Sequence, residues 1–164
     1  MKWRKRKLIN YLIKMEQRLD YFKIAPEGLK GMLELEKYVS SSGLDKTIFE
    51  LVKTRASQIN GCAYCLDMHT KDARKAEETE QRLYALSAWK ETPFYTEKER
   101  AALEWTEALT LISENEVPDS LYNSVREYFE EKELVALTMA IVAINGWNRL
   151  AIAFRTVPGS YEAK

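Results

Sequence analysis

Histidine is almost missing from this chain: His69 is the only one in 164 residues, and cysteine occurs twice, at Cys62 and Cys65. A zinc site would therefore have to take Cys62, Cys65 and His69 together and borrow an acidic fourth ligand. That arrangement argues against structural zinc, whose ligands usually come from two separate segments that the metal ties together. Net charge is missing too. Twenty-five Lys and Arg balance twenty-five Asp and Glu, so no global field points to nucleic acid. The basic charge is nevertheless uneven, with eight Lys or Arg in residues 1–23 against Glu16 and Asp20. A membrane-surface or RNA-binding arm would look like this, as would a solvated helix face, and the solvated face is the plainer account.

Long apolar runs are also lacking. The longest uncharged stretch, Leu134 to Asn148, has fifteen residues, short of the roughly 20 that a transmembrane helix needs. At the start of the chain a basic segment, Lys2 to Lys7, precedes a short apolar run, Leu8 to Ile13. Asn10 interrupts that run, Lys14 closes it, and no small-residue cleavage site follows. No transmembrane segment and a cytoplasmic location are expected. In that compartment a Cys-x-x-Cys pair is catalytic or metal-binding rather than a static staple.

Strand alternation is nearly absent, and helical periodicity runs through most of the chain. Leu8, Leu12, Met15, Leu19 and Phe22 form one apolar stripe on a first helix. Ala25-Pro26 starts a second that ends at the Ser40-Ser41-Ser42-Gly43 stop. Asp45 can cap a third, carrying Ile48, Phe49, Val52 and Ala56. A fourth covers about 62–77. Thr79 opens a short fifth through Trp89, and Thr96 with Glu99 forms a capping box for a sixth. Pro118 and Asp119 begin a seventh through Leu121, Val125 and Phe129. The eighth, from about Lys132 to Phe154, is apolar on most sides, so it is either central in its own domain or covered by another subunit. The expected fold class is all-α, about seven to eight helices joined by short loops, with a basic arm over 1–24 and one helical domain over 25–164.

What the chain does have is concentrated in Gly61-Cys62-Ala63-Tyr64-Cys65-Leu66-Asp67-Met68-His69. On a helix Cys62, Cys65 and His69 fall within about 60° of one another, on one face. Asn60 is a candidate N-cap, and unpaired N–H groups at the helix start favour a thiolate. Tyr64 lies off that face as a neighbour. Two ionisable thiols with an imidazole one turn beyond the second outline a redox or nucleophilic site. A thioredoxin-type fold is excluded, because it needs strands beside its cysteines.

The run Ser57 to Thr70 resembles the core motif of the alkylhydroperoxidase D-like proteins of the carboxymuconolactone decarboxylase superfamily. That pattern is a Glu, eleven residues, Cys-x-x-Cys, three residues and a His, and it is met by Glu50, Cys62, Cys65 and His69. The segment Ile144 to Phe154 resembles the closing helix of the same family. The resemblance spans about residues 20–160. It implies an all-helical subunit, a homo-oligomer (trimer or hexamer), that reduces hydroperoxides through its thiols without metal, flavin or haem.

By that resemblance Cys65 is the peroxidatic thiol and passes through a sulfenic acid, and Cys62 resolves it to a disulfide. His69 and Glu50 form a proton relay that takes the proton of Cys65. An external dithiol, a lipoyl protein or a thioredoxin-like donor, restores the thiols. Cys62, expected to be the more exposed sulfur, would exchange with it. Some family peroxidases carry a second histidine between the cysteines, where this chain has Tyr64. The superfamily's decarboxylases generally lack the cysteine pair, which sets that activity aside. A non-enzymatic oligomeric thiol switch or binding module is the alternative from another class.

Overall fold

The structure is a computed structural model that describes residues 16–163. Among the described residues it contains eight α-helices and no β-strand. They are α1 (Tyr21–Ile24), α2 (Pro26–Ser40), α3 (Lys46–Asn60), α4 (Ala63–Lys75), α5 (Glu80–Ala85), α6 (Glu97–Thr110), α7 (Asp119–Arg126) and α8 (Glu131–Phe154). A six-residue 3-10 turn, Leu86–Glu91, follows α5.

The boundaries follow from local chemistry. Asp45 accepts the Ile48 N–H at 3.0 Å to start α3, and Thr79 accepts that of Arg82 at 3.2 Å to start α5. Thr96 and Glu99 cap α6 reciprocally, and Glu130 and Glu133 do the same for α8. Pro26 occupies the first turn of α2, where its missing N–H has no partner to lose.

Three expectations change. The first helix does not run through Leu19 and Phe22: residues 16–20 are irregular, and Asp20 starts the new short helix α1 by accepting the Lys23 N–H at 3.2 Å. Leu19 and Phe22 are then half exposed, and Leu8, Leu12 and Met15, with most of the basic arm, lie outside the described residues. Trp89 sits in the 3-10 turn rather than on α5, because Ala88 leaves helical backbone geometry. Phe129 lies past the end of α7, yet is buried in the core.

Two helices form the centre. α8 packs against α2, α3, α4, α6 and α7, and buries Leu137, Ala140, Ile141 and Ile144 completely. Its length and apolar composition would suffice to cross a membrane, and a little under half of that apolar stretch is buried in the core. Gly146 leaves room for α2: a Cβ there would stand 2.7 Å from the Met32 methyl. α3 is the second centre, touching α4, α6 and α8. It is buried on more sides than its apolar stripe suggests, since Lys53, Thr54 and Ser57 are buried beside Leu51 and Val52. The main apolar cluster joins Val39, Val52, Trp105, Phe129, Leu137 and Ile141. A smaller one surrounds the cysteines, with Ala56, Ile144 and Ala151 around Cys62 and Cys65.

The ends of the described chain are tied down as well. Arg18 donates its backbone N–H to Phe154 at 2.9 Å, and Tyr21 packs on the Phe154 ring. After α8 the chain turns back along α4, held by Gly159 N–H on Asp67 and by the Lys71 ammonium on the Tyr161 carbonyl, both at 2.9 Å.

Candidate active site

Gly61 is the hinge between α3 and α4. Its φ of +69° is left-handed, a conformation that favours glycine, and it ends α3 so that α4 starts at once. The helix cap is therefore Cys62, not Asn60: the Cys62 sulfur accepts the Cys65 N–H at 3.4 Å. Asn60 closes α3 and turns its amide into α8, donating to Asn145 at 3.0 Å and Asn148 at 2.8 Å. Asn148 in turn donates to the Ser57 hydroxyl at 3.1 Å. This buried polar network anchors the cysteine turn to the core helix.

Cys62 and Cys65 lie within disulfide distance, their Cα atoms 5.4 Å apart. Both are 1% exposed, so the expectation that Cys62 is the more accessible sulfur does not hold. The small α8 residue Ala151 lets that helix close over the turn, with Ile144 beside it. Tyr64 packs against the same cluster, and burial, with smaller contributions from Tyr21 and Asp67, raises its phenol above the ordinary value.

Cys65, His69 and Ala73 form the buried stripe of α4. Glu50, carried by α3, reaches across: its Oε2 stands 2.8 Å from His69 Nδ1, with both side chains largely buried. A neutral imidazole donating Nδ1–H to the carboxylate keeps its lone pair on Nε2, ready for a proton. Asp72, three residues beyond His69 and so on the same side of α4, adds a second carboxylate. Donor atoms of Glu50, His69 and Asp72 all lie within 4.8 Å of one another. They could together offer ligands to a metal, but each already has a partner: Glu50 holds His69, and the Tyr161 hydroxyl donates to Asp72 at 2.8 and 2.9 Å.

A cavity of about 500 Å³ opens beside the carboxylates, lined by Glu50, Asp72 and Tyr161 and by the apolar Val39, Leu44 and Phe49. Beneath lies Lys53, with its side chain 1% exposed, paired with Glu36 and placed 4.0 Å over the Phe49 ring. Burial pulls the Lys53 ammonium below its ordinary value, against the opposing pull of Glu36, then Glu50 and Asp72. Asp72, Tyr161 and Lys53 escape a motif-based search. Asp72 alone has a signal, its i+3 spacing from His69; Tyr161 is distant in sequence, and Lys53 reads as a solvated charge.

Residues 26–108 match the carboxymuconolactone decarboxylase family. YdfG of Bacillus subtilis (strain 168), an uncharacterized protein, is 54% identical over 139 residues, 85% of this chain and 95% of its own. The chain belongs to the carboxymuconolactone decarboxylase family. Within it this is an AhpD-like member. The crystal structure of ATU0492 from Agrobacterium tumefaciens, a protein of unknown function proposed as an antioxidant defence protein AhpD, superposes with a TM-score of 0.85 at 45% identity. The match covers 89% of this chain and all of that one. The alkyl hydroperoxide reductase AhpD of Brucella canis is 43% identical over 47 residues, 29% of this AhpD-like chain and 27% of its own.

Proposed function

We propose that this AhpD-like protein reduces hydroperoxides through Cys65 and Cys62, with His69 and Glu50 as the proton relay. The observation that carries the proposal is one contact. Glu50 leaves α3 to hold His69 at 2.8 Å, and His69 lies one helical turn beyond a cysteine paired with a second. A buried ion-pairing carboxylate fixes the imidazole tautomer and stabilises the imidazolium formed when the ring takes a proton.

In the reduced protein Nε2 of His69 accepts the Cys65 thiol proton. The thiolate attacks the distal oxygen of R–O–OH and the O–O bond breaks. Cys65 becomes a sulfenic acid, and the alkoxide leaves as the alcohol with the proton His69 returns. The Cys62 thiol then attacks the Cys65 sulfur, forming the disulfide and releasing water. An external dithiol, lipoyl or thioredoxin-like, reduces that disulfide and is itself oxidised. Placement at the start of α4 supports thiolate formation at Cys62 during exchange. Assembly of copies into a homo-oligomer belongs to the same proposal, with the half-exposed Val135 and Val142 of α8 as its apolar face.

Burial of both sulfurs favours a second reading, a thiol switch that forms its disulfide stoichiometrically and signals through a partner. Recombinant protein supplied with an organic hydroperoxide and a dithiol decides between them. Multiple turnovers that Cys65→Ser abolishes support the peroxidase. A single disulfide per chain without turnover supports the switch, and equal turnover in wild type and variant removes Cys65 from the chemistry.

A further inference from the structure

The C-terminal strap puts a phenol where the relay needs an anchor. After α8 the chain runs back along α4, and its polar groups bind that helix at four places. Gly159 N–H meets Asp67 at 2.9 Å, the Tyr161 carbonyl meets Lys71 at 2.9 Å, the Ala163 carbonyl meets Lys75 at 3.1 Å, and the Tyr161 hydroxyl bridges both oxygens of Asp72. The two lysines flanking Asp72 on α4 are thereby engaged elsewhere. Lys75, three residues on, would otherwise be a natural helix ion-pair partner for it. Its ammonium goes instead to the strap, and that of Lys71 goes to Asp67 and the strap.

What remains for Asp72 is the phenol and, within 4.8 Å, the donor atoms of His69 and Glu50. We propose that Asp72 and Tyr161 are positioning residues of the relay: the strap's phenol pins the Asp72 carboxylate beside both His69 and Glu50, and this second anion raises the affinity of the imidazole for the Cys65 proton. The inference deepens the peroxidase proposal and rests on it for its purpose, but not for its geometry. Glu50 from α3 holds the ring, Cys65 lies one turn before it on α4, and Lys53 from α3 acts on the carboxylates of Glu50 and Asp72. Lys46 and Lys75 line the adjoining cavity. Burial first, then the bond to Asp72 and the charges of Asp72 and Glu50, push the Tyr161 phenol well above its ordinary value. It stays a donor throughout the range in which an imidazole titrates. An anion a few ångströms from an imidazolium favours the charged ring, and this one is held in place rather than free to rotate into solvent.

His69 is the only histidine, so its ring protons give one unambiguous titration curve by NMR in the reduced protein. Asp72→Asn is expected to lower the midpoint of that curve by about half a unit to one unit, a three- to tenfold loss of proton affinity. Cys65 alkylation at pH 7 should slow by a similar factor. Tyr161→Phe should move the midpoint the same way by less, because the released carboxylate can turn to Lys75, and Asp72→Glu should restore it to within twofold. A strap that only braces the fold would change melting temperature and leave the ring's midpoint where it was. An unmoved midpoint in folded Asp72→Asn, or in Tyr161→Phe, overturns the proposal, and if Asp72→Asn does not fold, Tyr161→Phe alone decides. Normal peroxide turnover with unmoved midpoints would remove these two residues and leave the peroxidase. Shifted midpoints without any turnover would do the reverse.

Discussion

His69 is held by a carboxylate from another helix, and that contact sets what the ring can do. Glu50 at 2.8 Å from Nδ1 fixes the orientation of the imidazole. Glu50→Gln keeps a hydrogen-bonding group of the same shape and removes the charge. Alkylation of Cys65 at neutral pH is expected to slow about tenfold while the circular dichroism spectrum is unchanged. Stopped-flow alkylation of the reduced protein checks this, and an unchanged rate would take Glu50 out of the relay. Cys62, Cys65 and His69 are legible as a set from their spacing on one helix, and Glu50 joins them through the motif the chain resembles. Asp72 and Tyr161 are not, since a phenol near the end of the chain meets α4 only after α8 has reversed direction.

At the scale of the element, the turn between α3 and α4 is the part that must not move. Cys62 caps its own helix, Gly61 takes the left-handed turn, and Asn60 carries two hydrogen bonds into α8. Asn60→Ala would leave the buried Asn148 Oδ1 without that donor, while the half-buried Asn145 Oδ1 keeps Arg149. The expected cost is about 1–3 kcal/mol, seen as a lower midpoint in urea. The same change should loosen the cysteine turn and speed reduction of the Cys62–Cys65 disulfide by a dithiol. Unaltered stability and reduction rate would mean that the network is held by the remaining contacts. Asn60, the candidate cap in the sequence, gives way to Cys62 in the fold, because its amide is bound into α8.

For the whole molecule, α8 is the core helix that keeps an exposed apolar side. It buries Leu137, Ile141 and Ile144, yet Val135 and Val142, seven residues apart and hence on one side, stay 55% and 51% exposed. A heptad-spaced apolar pair on a core helix is a natural seam for a second copy. Val142→Glu places a charge in the middle of it. With the proposed assembly through this face, the wild type is expected to sediment as an oligomer and the variant as a monomer, with monomer stability changed by no more than about 0.5 kcal/mol because the site is solvated in the single chain. Equal sedimentation of variant and wild type would move the seam to another face.

Sequence alone determined the all-helical class, most helix boundaries and the cysteine–histidine stripe. These depend on short-range physics: periodicity, caps and residues three or four apart on one helix. The carboxylate came from the resemblance to the alkylhydroperoxidase D-like motif, not from local physics. Tertiary structure decided the rest. Packing buried both sulfurs rather than exposing one, because α8 places Ala151 and Ile144 over the turn. It buried Lys53 on a helix whose sequence marks that position as solvated, since α3 is enclosed by its neighbours. It also carried Tyr161 to Asp72, a meeting of residues far apart in sequence that no local pattern encodes.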